Sequence, residues 1–314
     1  MILFLQRCGC VLAVAAVLLT SLLAGAHQDT KAEPDCCFLW KATSKTTTVY
    51  LLGSLHVAKP DLFPLPKAIE DAFADSRKLV VEVNVEGLDQ LKILQQTFEK
   101  GMYPKDKGET LSKAVSKETL KLLEKYCAEK KELKMAALEP MRPWLLTMLL
   151  MAEELKASGF SEEGIDKHFL KKAKTQKKPI MELETAGAQL DLFTQMTPEV
   201  QDKMLAKTLT EAGSMKNQME KIIAAWKAGD AEAMTETVLR DPVRRHPESK
   251  AVMVKLFDDR NAKMVEKIEG MLKDNETCFV MVGAGHLVGE KGIVKLLQDK
   301  KIEVEQVKRA PAKK

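Results

Sequence analysis

Short runs of β-branched and aromatic residues occur near both ends of the chain. Near the start, the runs 38–42 and 47–52 are joined by the polar segment 43–46, which predicts a β-hairpin. A helical face over 65–74 and an apolar run over 78–83 then predict a helix followed by a strand.

The last forty residues repeat this order of elements. The buried run 277–282 predicts a strand, 292–297 a helix and 302–307 a final strand. In the long middle segment, from about 88 to 272, apolar residues recur at helical spacing instead. Helices are predicted there over 88–98, 111–126, 144–155, 215–226 and 248–272 and from Pro198, with one strand at 179–183.

The two ends also share a local motif. Each has a strand, then a glycine, then a histidine three residues later: Gly53 with His56, and Gly283 with His286. Consecutive strands and crossovers of this kind pack into one sheet. We therefore predict an α+β fold whose central mixed β-sheet is built from two strand-GxxH-helix-strand units at the chain ends. The large helical middle packs against this sheet.

The first 26 residues predict a secretory signal peptide. Arg7 is their one charged residue, and the apolar run 11–23 is followed by small residues with cleavage expected near Ala26. The protein is then expected to be secreted or periplasmic, the alternative being an uncleaved N-terminal membrane anchor. The remainder is predicted to form a single domain over 27–307, with a helical insertion at about 88–272 and a basic tail at 308–314.

The amino-acid composition argues against one class of function and indicates the kind of core. The 49 Lys and Arg nearly balance the 45 Asp and Glu, which argues against electrostatic binding of nucleic acid. With 45% hydrophobic residues, only 5% aromatic residues and 16 Met, the core is expected to be aliphatic and largely helical. After loss of the leader, Cys36, Cys37, Cys127 and Cys278 remain, as disulfides or as free thiols.

His56 and His286 are the first candidates for chemistry. A histidine on the turn after a strand projects from the carboxyl end of the sheet, where open α/β sheets bind ligands. Glu82 lies in an apolar run, where a carboxylate is costly to bury unless it is paired or metal-bound. Two His and one Glu would make an open divalent-metal site. The alternatives are loop histidines bonded to backbone and a solvent-facing Glu82 on an edge strand.

Two further residues are candidates for catalysis. Glu184 follows the middle strand and could be a ligand or general base, or simply a carboxylate at a helix N-terminus. Arg260, in the last long helix, could polarise a carbonyl or form a surface ion pair. The chain has no GxGxxG, Walker or GxSxG pattern and no HExxH, which gives no sign of a dinucleotide site, a nucleotide triphosphatase, a serine hydrolase or a single-helix zinc site.

Taken together, these motifs resemble the TraB/GumN family, which is related to the Tiki metalloproteases and more distantly to the haem-binding ChaN-like proteins. The likeness covers nearly the whole mature chain and rests on 50–57, 79–83, 143–144, 164–166, 183–185, 189–190, 226, 229–230, 260–261 and 283–289. It implies that the paired GxxH motifs and an acidic residue form the active centre, here His56, His286 and Glu82. Tiki-like members are described as peptidases that use manganese or cobalt; zinc and iron are the alternatives.

The combined expectation is an exported metal-dependent hydrolase that acts on a peptide or protein substrate. His56, His286 and Glu82 would hold the metal, Glu82 or Glu184 would relay protons, and Arg260 would steady the oxyanion. No nucleic-acid partner is expected, and membrane contact only if the leader is retained. Two alternatives stay open: a module that binds haem, metal or peptide, and a regulatory interaction protein without catalysis.

Overall fold

A computed structural model describes residues 36–130 and 133–309 of the protein. The predicted leader, 1–26, and residues 310–314 of the predicted tail lie outside the described residues. Within the described ranges, no helix is both long enough and apolar enough to cross a membrane. The fold is α+β, as predicted, and its described residues form two compact units, one built on a sheet and one helical.

The sheet unit takes residues 36–87, 161–185 and 217–309 of the described chain. Its six described strands are β1 Cys36–Thr43, β2 Thr48–Ser54, β3 Lys78–Val81, β4 Ile180–Glu182, β5 Cys278–Gly283 and β6 Glu303–Lys308. They are ordered β4-β3-β5-β2-β1-β6. The four strands from β4 to β2 are mutually parallel, whereas β1 runs antiparallel to β2 and β6. The sheet is therefore mixed.

The chain ends meet at the centre of this sheet. Strand β5 lies between β3 and β2, and in its parallel register with β2 Gly53 pairs with Val282 and Ser54 with Gly283. Every residue of β5 is buried, as expected for a parallel strand covered on both faces. Because parallel strands end at the same edge, the turns after β2, β3 and β5 emerge side by side.

Helices complete the sheet unit. The α-helices are Lys67–Asp75, Ile165–Thr175, Met215–Ala228, Ala231–Thr235, Asp241–Arg245, Lys250–Met253, Asp259–Met271, Ala284–Leu287 and Ile293–Asp299. The helix Met215–Ala228 begins at the boundary of the unit. The residue after it, Gly229, has a φ of 65°, the left-handed conformation typical of the position that follows a helix. Short 3₁₀ turns lie at Pro60–Leu62 and Pro247–Ser249.

The helical unit takes Leu88–Phe160 and Ala186–Lys216. Its helices are Gln90–Gly101, Leu111–Ala114, Lys117–Glu129, Met135–Leu138, Pro143–Ala157, Ala186–Thr194 and Pro198–Thr210. Helix Pro143–Ala157 is buried along most of its length and forms the core of this unit. Ser116 and Thr197 cap the helices that follow them by accepting a backbone N–H.

Several element boundaries differ from the predictions. The predicted helix over 111–126 is interrupted before the Ser116 cap, and the predicted helix over 248–272 contains a π-helical turn at Val254–Asp258. Strand β3 ends at Val81, so Glu82 follows the strand instead of lying within it. Residues 161–185 and 217–272 belong to the sheet unit.

The four cysteines of the described chain are free thiols. The single-domain boundaries stay a prediction.

Candidate functional site

The turns that follow β2 and β5 bring the two GxxH histidines together. A Cβ atom placed on Gly283 would lie 3.5 Å from Nε2 of His56 and 3.5 Å from Cδ2 of His286. The same point lies 3.3 Å from Oε1 of Glu82. One small volume beside Gly283 is thus bordered by both imidazoles and a carboxylate. Glycine at this position keeps that volume free of a side chain.

Glu82 enters this volume from the end of β3, next to β5 in the sheet. Its side chain is buried, with only 8% of its surface exposed. The backbone N–H of Gly283 donates to Oε1, which also lies 3.7 Å from Nε2 of His286. The expectation that this carboxylate is paired instead of solvent-facing therefore matches its environment.

Arg260 binds both candidate carboxylates. Its NH2 group donates to Oε2 of Glu82 at 2.7 Å and to Oε2 of Glu184 at 2.6 Å, and its Nε donates to Oε1 of Glu184 at 2.9 Å. NH1 donates to the carbonyl of Leu256 at 2.9 Å. The guanidinium is thus held in a nearly filled set of hydrogen bonds and joins Glu82 to Glu184.

Asn261 fixes the orientation of His286. The amide Nδ2 of Asn261 donates to the carbonyl of Lys291 at 2.8 Å, so its Oδ1 faces Nδ1 of His286 at 2.6 Å. Because an amide oxygen can only accept, Nδ1 of His286 carries the proton and Nε2 directs its lone pair toward Glu82. Burial, together with the Arg260 charge, lowers the pKa of His286 to about 3, which keeps this imidazole neutral.

Asp166 occupies the matching position beside His56. Its Oδ1 lies 3.4 Å from Nδ1 of His56 and accepts a hydrogen bond from the Ser54 hydroxyl at 3.1 Å. Burial alone would lower the pKa of His56, but the charge and hydrogen bond of Asp166, helped by Glu82, raise it to about 9. The two imidazoles therefore differ in charge although both face the same point.

Glu82 stays ionised in this environment. Burial alone would raise the pKa of Glu82, but the charges of Arg260 and His56 and the N–H of Gly283 outweigh burial and hold the pKa well below its usual range. A fixed negative charge thus borders the shared volume between the two imidazoles.

Apolar and aromatic groups hold the two turns in place. The indole N–H of Trp226 donates to the carbonyl of Gly53 at 2.6 Å, at the end of β2. The ring of Phe257 packs on the imidazole of His286 with centroids 5.0 Å apart. Phe257 lies in the π-helical turn Val254–Asp258, which directly precedes Arg260 and Asn261. Such turns recur at functional sites because one added residue redirects the side chains that follow.

The side chains present match the donor types of a divalent-metal site. Both imidazoles contact an acceptor at Nδ1, as metal-binding histidines usually do, and both border the volume that Glu82 also borders. In the described part of the chain, however, no group of three or more His, Cys, Asp and Glu side chains is arranged as a ready metal site. To coordinate one ion, the side chains of His56, His286 and Glu82 would have to move closer to one another.

The five predicted site residues all lie in this neighbourhood, and their roles stay predictions. His56, His286 and Glu82 border the volume at Gly283, and Arg260 links Glu82 to Glu184. Sequence reasoning assigned no role to Asp166 or Asn261, which contact the two imidazoles. The available sequence signal was that both lie in segments that carry the family resemblance, 164–166 and 260–261.

Comparison with known proteins agrees with the resemblance seen in the motifs. YbaP of Escherichia coli (strain K12), described as an uncharacterized protein, is 25% identical over 250 residues, covering 79% of this chain and 87% of YbaP. YbaP of Shigella flexneri gives the same values. An uncharacterized protein of Treponema pallidum (strain Nichols) is 20% identical over 293 residues, covering 90% of this chain and 86% of that protein. No solved structure matches. A family model described as the TraB/PrgY/gumN family matches residues 38–306, and the chain therefore belongs to this family.

Proposed function

We propose that this protein is an exported metal-dependent hydrolase of peptides. The observation that carries the proposal is the volume beside Gly283, where a single point lies within 3.5 Å of Nε2 of His56, Oε1 of Glu82 and the ring of His286. Imidazole and carboxylate are donors that manganese, cobalt, zinc and iron all accept. Manganese or cobalt is the first choice by family resemblance. Export rests on the predicted leader alone.

His56, His286 and Glu82 would hold the cation. A bound divalent cation supplies Lewis-acid chemistry, which polarises a substrate carbonyl and makes water a stronger nucleophile. His286 already presents an unprotonated Nε2, because Asn261 binds its Nδ1 proton. To become a ligand, His56 must lose the proton on Nε2. The adjacent Asp166 would then hold the remaining proton on Nδ1.

Proton transfer and charge stabilisation fall to the remaining residues. Glu82, ionised and next to both imidazoles, is the better placed of the two carboxylates to accept a proton from water. Glu184 is held by two nitrogens of Arg260, so a role as base requires that ion pair to loosen. Arg260 would steady a developing oxyanion only through NH1, since its other N–H groups bind the carboxylates.

Metal binding is tested first, by calorimetric titration of the purified mature chain with Mn²⁺ and Co²⁺. We expect binding by the wild type and its loss in His56→Ala and in His286→Ala. His168→Ala is the matched control, because His168 pairs with Glu70 away from Gly283 and should bind as the wild type does. A wild-type chain that takes up neither cation would refute the choice of manganese or cobalt, and one that also takes up neither Zn²⁺ nor Fe²⁺ would refute the proposal.

Hydrolysis is tested separately, with a fluorogenic peptide library incubated with the Mn²⁺- or Co²⁺-treated protein. We expect cleavage by the wild type and by His168→Ala, and none by the double variant His56→Ala/His286→Ala. Equal cleavage by the double variant would assign the activity to a contaminant. Binding of metal without cleavage of any peptide would contradict the hydrolase assignment and favour a binding protein.

One observation favours the runner-up, a binding module for haem, metal or peptide. Arg260 is ion-paired with both Glu82 and Glu184, so each of the two candidate bases is already engaged by a cation. A haem titration of the purified protein distinguishes this alternative. A Soret shift that appears in the wild type and is lost in His56→Ala would support it, whereas an unchanged haem spectrum would argue against haem as the ligand.

A further inference from the structure

The turn that carries His56 is clamped by the segment 161–166. The backbone groups of Ala58 and Ser161 exchange two hydrogen bonds of 3.0 Å, and the N–H of Ile165 donates to the carbonyl of Leu55 at 2.9 Å. Gly164 allows this approach, since a Cβ there would lie 2.2 Å from the Leu55 carbonyl oxygen. The backbone of the His56 turn is thus fixed by a segment more than a hundred positions later in the chain.

The same segment delivers one charged side chain to the imidazole. Asp166 lies in the first turn of helix Ile165–Thr175, with its carboxylate between the Ser54 hydroxyl and Nδ1 of His56. Side-chain exposure is low at both residues, 18% for His56 and 15% for Asp166. A carboxylate oxygen accepts but does not donate, so this contact is satisfied only when Nδ1 of His56 carries a proton.

His286 shows the same arrangement with a different acceptor. Its Nδ1 contacts Oδ1 of Asn261 at 2.6 Å, and Asn261 is in turn anchored on the Lys291 carbonyl. Asp166 is likewise anchored, by the Ser54 hydroxyl. Both imidazoles are therefore backed at Nδ1 by a tethered oxygen. On the other side of each ring, Nε2 of His56 lies 3.5 Å from the point beside Gly283, and Nε2 of His286 lies 3.7 Å from Oε1 of Glu82.

We propose that Asp166 is a positioning residue for His56. By accepting the Nδ1 proton it selects one ring tautomer and one ring orientation, so that the Nε2 lone pair faces Gly283, Glu82 and His286. The effect on tautomer is independent of any ligand. Its consequence for metal affinity rests on the proposed function.

The decisive measurement is the tautomer of His56 in the metal-free protein. Long-range ¹H–¹⁵N correlation spectra of ¹⁵N-histidine-labelled chain report which ring nitrogen is protonated, at a pH where the ring is neutral; His56→Ala assigns the signal. We expect the Nδ1–H form in the wild type and its retention in Asp166→Asn, which keeps an acceptor oxygen. Asp166→Leu, similar in size but without an acceptor, should lose it. The His286 signal serves as an internal control and should not change.

Two outcomes overturn the inference. One is an Nε2–H tautomer of His56 in the wild type, which needs no variant and so stays informative if Asp166→Leu does not fold. The other is an unchanged tautomer in a folded Asp166→Leu.

Metal titration separates this inference from the proposed function. If the wild type binds Mn²⁺ or Co²⁺, Asp166→Leu should weaken binding by about 10- to 100-fold, and Asp166→Asn should weaken it less. If the wild type binds none of Mn²⁺, Co²⁺, Zn²⁺ and Fe²⁺ while the tautomer follows Asp166, the proposed function fails and the positioning role stands. Undiminished affinity in a folded Asp166→Leu would end the claim that this position matters for metal binding.

Discussion

Two buried tryptophans differ in whether the indole N–H has a partner. Nε1 of Trp226 donates to the Gly53 carbonyl at 2.6 Å, whereas Nε1 of Trp144 has no hydrogen-bond partner among the described residues. Both side chains are fully buried. Replacing each by Phe removes similar ring volume, so the comparison isolates the hydrogen bond.

Trp226→Phe is therefore expected to cost more stability than Trp144→Phe. The excess should be about 1–3 kcal/mol, because the Gly53 carbonyl is left buried without its donor. Urea unfolding of both variants, followed by circular dichroism, gives the two free energies of unfolding. Equal losses would show that the Trp226 hydrogen bond contributes nothing beyond packing.

Tyr126 makes the helical unit sensitive to alkaline pH. Burial, with the neighbouring Glu154 carboxylate that accepts its hydroxyl at 3.3 Å, raises the pKa of Tyr126 to about 12 from its ordinary value of 10.0. Between these values the folded chain keeps a phenol proton that the unfolded chain has lost. The contribution of Tyr126 to stability is thus complete below pH 10 and disappears as pH rises toward about 12.

Because the pKa of Tyr126 is higher in the folded chain, the stability of the wild type and that of Tyr126→Phe should depend differently on pH. From pH 10 to about 12 the free energy of unfolding of the wild type should fall more steeply than that of the variant, which has no phenol proton to lose. Urea midpoints measured across this interval test it. Parallel pH profiles would mean that Tyr126 ionises equally easily in both states.

At the residue scale, burial could be anticipated where a charged residue lies between apolar residues. Glu82 stood out because it lies between Val81 and Val83, and its carboxylate is indeed buried and paired. Asp166 and Asn261 did not stand out, since polar residues near helix starts are ordinary. Their contacts with the imidazoles depend on tertiary approach, which local sequence does not encode.

Among the elements, the segment 161–166 depends on a single glycine for its close approach to the His56 turn. A Cβ on Gly164 would lie 2.2 Å from the Leu55 carbonyl oxygen and 2.4 Å from the carbonyl carbon and oxygen of His56. These are backbone atoms that cannot rotate away. Gly270, in helix Asp259–Met271 of the same unit, has no neighbour within 4 Å of its built Cβ and offers a matched control.

Gly164→Ala should destabilise the protein by about 3 kcal/mol, because the segment must move off the His56 turn. Gly270→Ala should instead be neutral or gain up to about 1 kcal/mol from helix propensity. Thermal unfolding by calorimetry measures both. A Gly164→Ala variant as stable as the wild type would show that the close approach is not required.

Element-scale prediction identified the strands and most of the long helices but not their interruptions. Alternation and β-branched runs located β1, β2 and β5. The π-helical turn Val254–Asp258 was missed, because a single added residue barely disturbs a helical period of apolar positions. That turn directly precedes Arg260 and Asn261, so the positions of these side chains could not be predicted either.

At the scale of the whole molecule, the sheet depends on a strand from the end of the chain. Strand β5 separates β3 from β2, so without it the sheet would fall into β4-β3 and β2-β1-β6. A chain that lacks both β5 and β6 would keep only the pairs β4-β3 and β2-β1. Isolated two-stranded pieces are marginally stable in water. Matched Gly-x-x-His contexts predicted that both chain ends share one sheet, but not this strand order, which depends on long-range pairing.

A chain that stops at residue 277 should therefore fail to form the sheet, while a chain that stops at residue 309 should fold like the full protein. Amide hydrogen exchange reports the difference: β2 and β3 should be protected in the longer chain and unprotected in the shorter one. Protection of both strands in the shorter chain would show that β4-β3 and β2-β1 are stable on their own.

The adjacency of β2 and β5 also bears on biosynthesis. A ribosome synthesises His56 long before its counterpart His286. A polypeptide that ends before Gly283 therefore has only one of the two imidazoles of the proposed centre, and its sheet lacks a complete β5. Such a polypeptide cannot assemble the centre. Reactive capability would thus be acquired only after the turn that follows β5 has been synthesised.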